Sequence, residues 1–184
     1  MKRCVDLLIA LAGVLALWPA LLLIAALIRR DSPGPALYRQ TRIGRGGRTF
    51  EIYKFRSMVV DGHKVGPPTT QDQDPRITRI GRVLRRTSLD ELPQLLNVLK
   101  GDMSLVGPRP ELPLQRANYS EGEWALRHRV RPGLTGLAQV NGRHSVDPAD
   151  RKAMDLRYVR QVGVALDLRI FILTLREVLL RGSA

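Results

Sequence analysis

The sequence predicts an α+β fold that is mainly helical. An apolar segment opens the chain, two alternating runs then flank a glycine-rich turn, and several amphipathic helical patterns follow between Pro- and Gly-rich segments. The length of 184 residues fits one domain. The formal net charge of +13 favours anionic partners, which are nucleic acid, anionic lipid or a phosphorylated compound. Aromatic residues are only 5% of the chain, which is few for stacking on single-stranded bases.

The first element is a membrane segment. Leu7–Ile28 is a run of 22 residues without a charge. As one helix it would reach about 33 Å, which is enough to span a bilayer core of about 30 Å. A cleavable signal peptide would have a shorter apolar core and a small-residue cleavage site, whereas Arg29 and Arg30 follow here. We therefore expect the segment to be retained.

Pro19 lies in the middle of this segment, where it is expected to kink or break the helix. Basic residues flank both ends, which favours both ends on the cytoplasmic side. The pattern therefore favours a re-entrant helix that enters one leaflet and returns. A kinked spanning helix is the open alternative, because proline is tolerated in spanning helices.

The middle of the chain carries three further elements. Ala36–Met58 has two partly alternating runs around three glycines and predicts a small β-hairpin. Its glycine turn lacks the Lys-Ser/Thr of a phosphate loop. Val60–Pro75 is polar, contains three prolines and predicts a loop. Arg76–Ser88 spaces apolar residues at helical intervals among five arginines, which predicts a basic amphipathic helix over a core or at an anionic membrane surface.

The second half alternates irregular and helical segments. The chain is expected to be irregular from Gly101 to Pro113 and turn-rich over Arg131–Arg143. Helices are predicted over Glu121–Arg129, Pro148–Gln161 and Asp167–Arg181. The last carries an apolar stripe that either covers the core or touches lipid.

The adjacent carboxylates of Asp90 and Glu91 have two interpretations. Ser88 and Glu91 match a capping box, although Pro93 would then lack an N–H that the helix needs; with Asp90 as the cap, Pro93 is tolerated. Alternatively, the helix dipole and the preceding arginines hold the Asp90 carboxylate ionised as a nucleophile or Mg²⁺ ligand, and Glu91 accepts a proton or helps to hold the metal. These residues alone leave both interpretations open.

Five blocks in chain order resemble the bacterial sugar transferases, the monotopic phosphoglycosyl transferases that act on polyprenyl phosphate. The blocks are Lys2-Arg3 with Asp6, YKFRSM at Tyr53–Met58, RRTSLDELPQLLNVLKGDMSLVGPRP at Arg85–Pro110, RPGLTGLAQVNGR at Arg131–Arg143, and DLRYV with LDLRI between Asp155 and Ile170. The resemblance covers nearly the whole chain. It implies a re-entrant membrane helix broken at Pro19, amphipathic interfacial helices and an irregular Pro/Gly-rich active-site region. One departure is Trp18, where well-studied members carry serine.

The resemblance also implies an activity. Members transfer a sugar 1-phosphate from a UDP-sugar to polyprenyl (undecaprenyl) phosphate and release UMP, through a covalent aspartyl-phosphosugar intermediate, in the first membrane step of glycoconjugate and exopolysaccharide assembly. On that pattern Asp90 is the nucleophile and a ligand of Mg²⁺, and Glu91 assists the lipid phosphate. By position in the motifs, the candidate phosphate contacts are Lys54, Arg56, Arg85, Arg109 and Arg131.

The expected organisation is a membrane-inserted re-entrant helix over residues 1–30 and a catalytic domain over 31–184 on the cytoplasmic face of the inner membrane. Membrane lipids are expected partners, nucleic acid is not, and a homo-oligomer is left open. The chain would correspond to the minimal catalytic form of the family. One rival is a glycosyltransferase that moves the sugar alone, for which Asp72–Asp74 supplies only a formal Asp-x-Asp match. The other is a membrane-tethered basic module that binds lipid or nucleic acid without catalysis.

Overall fold

The computed structural model describes residues 2–62, 74–142 and 147–181, and these form a mostly helical α+β fold with two small sheets. Helix α1 (Lys2–Asp31) is about 45 Å long by its residue count. It is the one described helix that is long and apolar enough to cross a membrane. The helix is continuous through Pro19, so the break predicted there is not confirmed.

Both ends of α1 contact the rest of the chain. Near its start, the buried Asp6 carboxylate accepts hydrogen bonds from Ser104 Oγ at 2.8 Å and from the backbone N–H of Leu105 at 3.2 Å. Near its end, Asp31 Oδ2 accepts from the backbone N–H of Ile80 at 2.9 Å. The leucines between these two ends are largely exposed, as at Leu15. The helix also packs along one side, where Ala10 is buried and a Cβ atom at Gly13 would lie 3.2 Å from Leu95, and its other side remains an uncovered apolar surface.

The predicted hairpin is confirmed. Strands β1 (Leu37–Ile43) and β2 (Thr49–Phe55) pair antiparallel, with Tyr38 opposite Lys54 and Arg39 opposite Tyr53. Its glycine turn contains Gly46 and Gly47 at φ of 69° and 76°, which non-glycine residues rarely adopt. Alternation places Arg39 and Tyr53 on one face and Tyr38 and Lys54 on the other, so the two cavities described below lie mainly on opposite faces and share Leu37 at the open end of the hairpin.

Helix α2 (Arg79–Thr87) packs closely against the end of β2. Thr78 caps it by accepting from the backbone N–H of Gly81 at 2.9 Å. A Cβ atom at Gly81 would lie 2.0 Å from the Ser57 carbonyl oxygen, so only glycine allows this approach. The helix is shorter than the predicted basic amphipathic segment: it ends at Thr87, and Ser88 is its C-cap.

Neither predicted helix start at the acidic pair is right. Ser88 is left-handed (φ 61°), its backbone N–H donates to the Arg85 carbonyl, and its side chain forms no capping hydrogen bond. Asp90 and Glu91 lie in a 3₁₀ turn (Leu89–Glu91), and helix α3 (Gln94–Lys100) begins only after Pro93. The left-handed residue turns the chain back, so that the end of α2 lies beside the acidic pair.

The segments expected to be irregular contain a second sheet. Strand β3 (Ser104–Val106) pairs in parallel with β4 (Gly133–Thr135), and the short helix α5 (Leu137–Val140) follows. A Cβ atom at Gly133 would lie 2.1 Å from the backbone N of Gly107, so these two segments approach each other at glycines, where no side chain intervenes. This close pairing fixes the segment that carries Arg109.

The remaining helices agree closely with the sequence predictions. They are α4 (Glu121–Arg127), α6 (Pro148–Gln161) and α7 (Val164–Arg181), and a 3₁₀ turn (Pro113–Asn118) precedes α4. The main core includes the buried residues Val98, Met103, Tyr158 and Ile170. A second cluster joins the end of α1 to the hairpin and α2: Ile28, Ala36, Phe55 and Leu84. Most of the predicted loop Val60–Pro75 lies outside the described residues.

Candidate active site

A cleft of about 810 Å³ lies between the hairpin, the 3₁₀ turn with the acidic pair, and the segment after β3. Its lining includes seven basic and four acidic side chains. Such an excess of positive charge favours an anionic ligand. The basic residues are Arg42, Lys54, Arg56, Arg76, Arg85, Arg109 and Arg151, and the acidic ones are Asp61, Asp90, Glu91 and Asp155.

Glu91 is the centre of an ion-pair cluster. Its Oε1 atom accepts hydrogen bonds from Lys54 Nζ at 2.9 Å and from an Arg109 Nη at 2.8 Å. The carboxylate is 13% exposed, so these charges lie in a partly dry environment. Burial acts to raise the pKa of Glu91, but the charges and hydrogen bonds of Arg109 and Lys54 outweigh it and lower that pKa far below its ordinary value. Glu91 is therefore ionised and fixes both cations.

Asp90 has a different environment from its neighbour. No described residue donates a hydrogen bond to its carboxylate, and Asp90 is part of the lining of the cleft. Burial and the Glu91 charge raise the pKa of Asp90 above its ordinary value, although Lys54 and Arg85 act in the opposite direction. The predicted environment, a helix start that stabilises the ionised form, is thus replaced by a half-buried carboxylate without a hydrogen-bond donor among the described residues.

Arg85 reaches the acidic pair from the last turn of α2. Its Nε atom donates to Ser57 Oγ at 2.8 Å, which aligns the guanidinium along the wall of the cleft. Burial lowers the pKa of Arg85, and the Asp90 charge acts to raise it. Three of the five predicted phosphate contacts therefore converge on the acidic pair: Lys54, Arg85 and Arg109.

The other two predicted contacts lie elsewhere. Arg56 borders the cleft, but its guanidinium is buried and donates to the carbonyl oxygens of Ser32 at 2.7 Å and of Pro33. It holds the segment that leaves α1. Arg131 donates from Nε to the Gly101 carbonyl at 2.8 Å and is absent from the described lining of the cleft.

Arg42 is a cleft cation that the motifs did not single out. Its guanidinium donates to the Pro110 carbonyl at 3.1 Å and to Gln40 Oε1 at 2.6 Å. Burial and the nearby Arg109 charge lower its pKa to about 10. Alternation along β1 places Arg42 on the same face as Tyr38 and Gln40, and this periodicity in the sequence was a signal that could have found it.

A buried network holds the backbone of Arg109. Arg127 is 3% exposed, and one Nη atom donates to Asp155 Oδ2 at 2.6 Å and to the Arg109 carbonyl at 2.7 Å. The same atom lies 3.1 Å from Glu111 Oε1. Because a buried charge is costly unless it is paired, these contacts define one position for the Arg109 segment. The sequence carries no local signal for this network.

The cleft provides two adjacent carboxylates for a cation. No group of three or more His, Cys, Asp or Glu side chains suited to a metal occurs in the described part of the chain. Mg²⁺, however, commonly binds through one or two carboxylates together with substrate phosphates and water. The Asp90 carboxylate, to which no residue in the described ranges donates a hydrogen bond, fits such a shared site, and the Glu91 carboxylate is already engaged by two cations.

Residues 1–181 match a family model described as bacterial sugar transferase. The "Exopolysaccharide production protein PSS" of Rhizobium leguminosarum bv. phaseoli is 47% identical over 100% of this chain and 97% of its own length. A "UDP-glucose:undecaprenyl-phosphate glucose-1-phosphate transferase" of Caulobacter vibrioides is 48% identical over 100% of this chain and 71% of its own length. The "Undecaprenyl-phosphate glucose phosphotransferase" of Komagataeibacter xylinus is 45% identical over 99% of this chain, which spans only 36% of that relative. The chain belongs to the bacterial sugar transferase family.

Proposed function

We propose that this protein transfers a sugar 1-phosphate from a UDP-sugar to undecaprenyl phosphate. The observation that carries the proposal is that the Asp90 carboxylate lies beside three cations in one cleft, with no hydrogen bond from the part of the chain that the structure describes. Phosphoryl transfer depends mainly on positioning and on stabilising negative charge, which is what this arrangement supplies. The family and the names of the relatives support it, and UDP-glucose is the first donor to test.

The proposed reaction has two displacements at one phosphorus. An Asp90 oxygen attacks the phosphorus that carries the sugar, the new P–O bond forms, and the P–O bond to UMP breaks. A phosphate oxygen of the lipid then attacks the same phosphorus and returns the Asp90 carboxylate. The positive charges of Lys54, Arg85 and Arg109 act to lower the pKa of Asp90 and so favour the ionised form that attacks.

Glu91 assists both displacements by holding cations in place. Its lowered pKa makes it a weak base, but a phosphate monoester with a second pKa of about 6 needs little help to ionise. Lys54 and Arg109, both bonded to one Glu91 oxygen, are positioned to meet the phosphate oxygens of the donor. Mg²⁺ bound by Asp90 and the substrate phosphates would neutralise pyrophosphate charge.

The proposed topology is a re-entrant α1 over residues 1–30, with the catalytic domain over 31–184 on the cytoplasmic face of the inner membrane. It is supported by the contacts at both ends of α1, at Asp6 and at Asp31, with one and the same folded part. A helix that crossed the bilayer would place these ends on opposite sides. A dipping helix would also hold the cleft at the depth of the lipid phosphate.

The nucleotide product tests the proposal. We would supply the full chain in detergent with undecaprenyl phosphate, Mg²⁺ and UDP-glucose or another UDP-sugar. We expect UMP from the wild type, none from Asp90→Asn, and wild-type rates from Asp150→Asn, an exposed aspartate in the first turn of α6. With a donor labelled at the β-phosphorus and no lipid, the label should remain on the wild type only. Release of UDP would mean that only the sugar moves, and would refute the role of Asp90.

A further inference from the structure

A second cavity of about 480 Å³ lies on the face of the hairpin opposite Lys54. Arg39 and Tyr53, which pair across the two strands, both point into it. The other wall comes from the exposed side of α3. We call this cavity the hairpin groove, and its lining residues are Leu37, Arg39, Tyr53, Leu96, Leu99 and Lys100.

Two cations converge on one tyrosine in the hairpin groove. Lys100 Nζ donates to Tyr53 Oη at 2.5 Å and lies 4.5 Å from the ring centroid. Arg39 Cζ lies 5.5 Å from the same centroid. Among the described residues, the one carboxylate that pairs with either cation is Glu51, at 3.8 Å from Arg39, and both partners are more than half exposed. So long and exposed a pair neutralises little charge, and the groove keeps a local excess of positive charge.

The groove also has an apolar wall. Leu37 and Leu96 are 38% and 39% exposed, which leaves hydrocarbon surface beside the two cations. Phosphate oxygens would bind Arg39 and Lys100, and a hydrocarbon chain would cover the leucines. This pairing of charge and apolar surface matches an anionic amphiphile better than a free anion.

The position of the groove relates it to the ends of α1. Leu37 follows Ala36, which packs on Ile28 near the end of that helix. The Leu99 carbonyl accepts a hydrogen bond from Arg3 at 3.3 Å, near the start of the helix. One side of the groove is therefore linked to the start of α1 and the other side to its end. This step rests on the re-entrant topology proposed above, in which both ends of α1 lie at the membrane surface. The groove then lies at the depth of the lipid headgroups.

We propose that the hairpin groove binds the headgroup of an anionic phospholipid, with its phosphate on Arg39 and Lys100 and its first methylene groups on Leu37 and Leu96. This lipid is distinct from the substrate lipid, whose phosphate must reach Asp90 on the other side of the hairpin. Because Lys54 lies next to Tyr53 on β2, a lipid bound here would set the height of the active-site cleft above the leaflet.

Lipid retention tests the proposal directly. We would place the full chain in nanodiscs of equal phosphatidylglycerol and phosphatidylcholine and count retained lipids by native mass spectrometry. The wild type should retain phosphatidylglycerol preferentially. The double variant Arg39→Gln/Lys100→Gln should weaken that preference about 30-fold, since each cation near an anionic surface contributes about a factor of five. The matched control Arg48→Gln/Arg160→Gln removes two exposed cations elsewhere and should keep it.

Further measurements distinguish a bound phospholipid from a soluble phosphate and from undecaprenyl phosphate. Leu96→Gln should lower retention of phosphatidylglycerol while keeping the charge, and soluble glycerol phosphate should not displace the lipid. Equal loss in both double variants would indicate general surface attraction and overturn the groove. Displacement by glycerol phosphate, or by undecaprenyl phosphate at equal concentration, would overturn the choice of lipid. UMP release in the same nanodiscs is scored separately, so failure of catalysis with retained lipid preference refutes only the proposed function.

Discussion

Replacing Glu91 by Gln should destabilise the fold as well as impair turnover. The carboxylate binds Lys54 and Arg109 through one oxygen, at 2.9 Å and 2.8 Å. Glutamine keeps the shape but can offer each cation only a neutral acceptor. The variant also removes the negative charge that Lys54 and Arg109 share, so the repulsion between these two cations is less compensated.

The expected loss is about 2 kcal/mol. Hydrogen bonds to charged groups contribute about 1.5–3 kcal/mol each, and the amide retains part of both. The Arg109 side chain is 40% exposed, so water compensates part of its loss, whereas Lys54 at 17% has less access. For a chain of this size, about 2 kcal/mol lowers the melting temperature by roughly 4–8 °C.

The stability difference between wild type and Glu91→Gln should depend on pH. The pKa of Glu91 is lowered in the folded protein relative to its ordinary value of 4.5, so its stabilisation is fully present above pH 4.5 and is lost as pH falls towards the folded pKa. The difference in melting temperature between wild type and Glu91→Gln should therefore be full at pH 7 and shrink below pH 4.5. Thermal unfolding in detergent would measure this difference.

The control is Glu51→Gln, which removes a carboxylate with one long exposed ion pair and should change the free energy of unfolding by less than about 1 kcal/mol. A Glu91→Gln difference that is absent at pH 7, or equally large at pH 3.5, would refute this account.

Two further substitutions test how the cleft is held. Gly81→Ala should lower the free energy of unfolding by about 1–3 kcal/mol in a thermal unfolding experiment, because its Cβ would lie 2.0 Å from the Ser57 carbonyl oxygen. The control Gly122→Ala, where α4 has open space, should stabilise the protein by about 1 kcal/mol. Equal effects of the two substitutions would contradict the packing argument. Asn97→Leu should lower the free energy of unfolding by about 2–4 kcal/mol in a denaturant experiment, since this fully buried side chain accepts from the Tyr53 N–H at 3.0 Å and donates to the Glu51 carbonyl at 2.7 Å. The control is Asn141→Leu at an exposed position. A loss in Asn97→Leu that is no larger than the loss in the control would count against this prediction.

The sequence predicted best those elements that local rules determine. The bounds of α6, Pro148–Gln161, were predicted correctly because Pro148 suits a first helical position and Gly163 follows the end. Asp147 completes the signal by accepting from the Ala149 N–H at 2.8 Å. The hairpin was predicted from its alternation and glycine turn in the same way.

The sequence failed where distant segments decide the structure. Strands β3 and β4 are three residues each, which is too short for periodicity, and the paired residues Ser104 and Gly133 are 29 positions apart in the sequence. The buried position of Arg127 depends on Asp155, 28 residues away. Arg131 and Arg109 both lie in motifs that contain Gly and Pro. Arg131, however, donates to the carbonyl of Gly101, the residue that follows α3, and not to the acidic pair. Motif position alone could not separate these two arginines.

The failed capping prediction bears on the chemistry of the acidic pair. A carboxylate that caps a helix accepts backbone hydrogen bonds, and these lower both its pKa and its nucleophilicity. Because Ser88 is left-handed and α3 begins only at Gln94, the chain presents Asp90 to the cleft without such bonds. Glu91 takes the two cations, so its pKa is lowered while that of Asp90 is raised. Two adjacent carboxylates with pKa values pushed in opposite directions are suited to different roles, and this supports Asp90 as the nucleophile and Glu91 as the anchor of its cations.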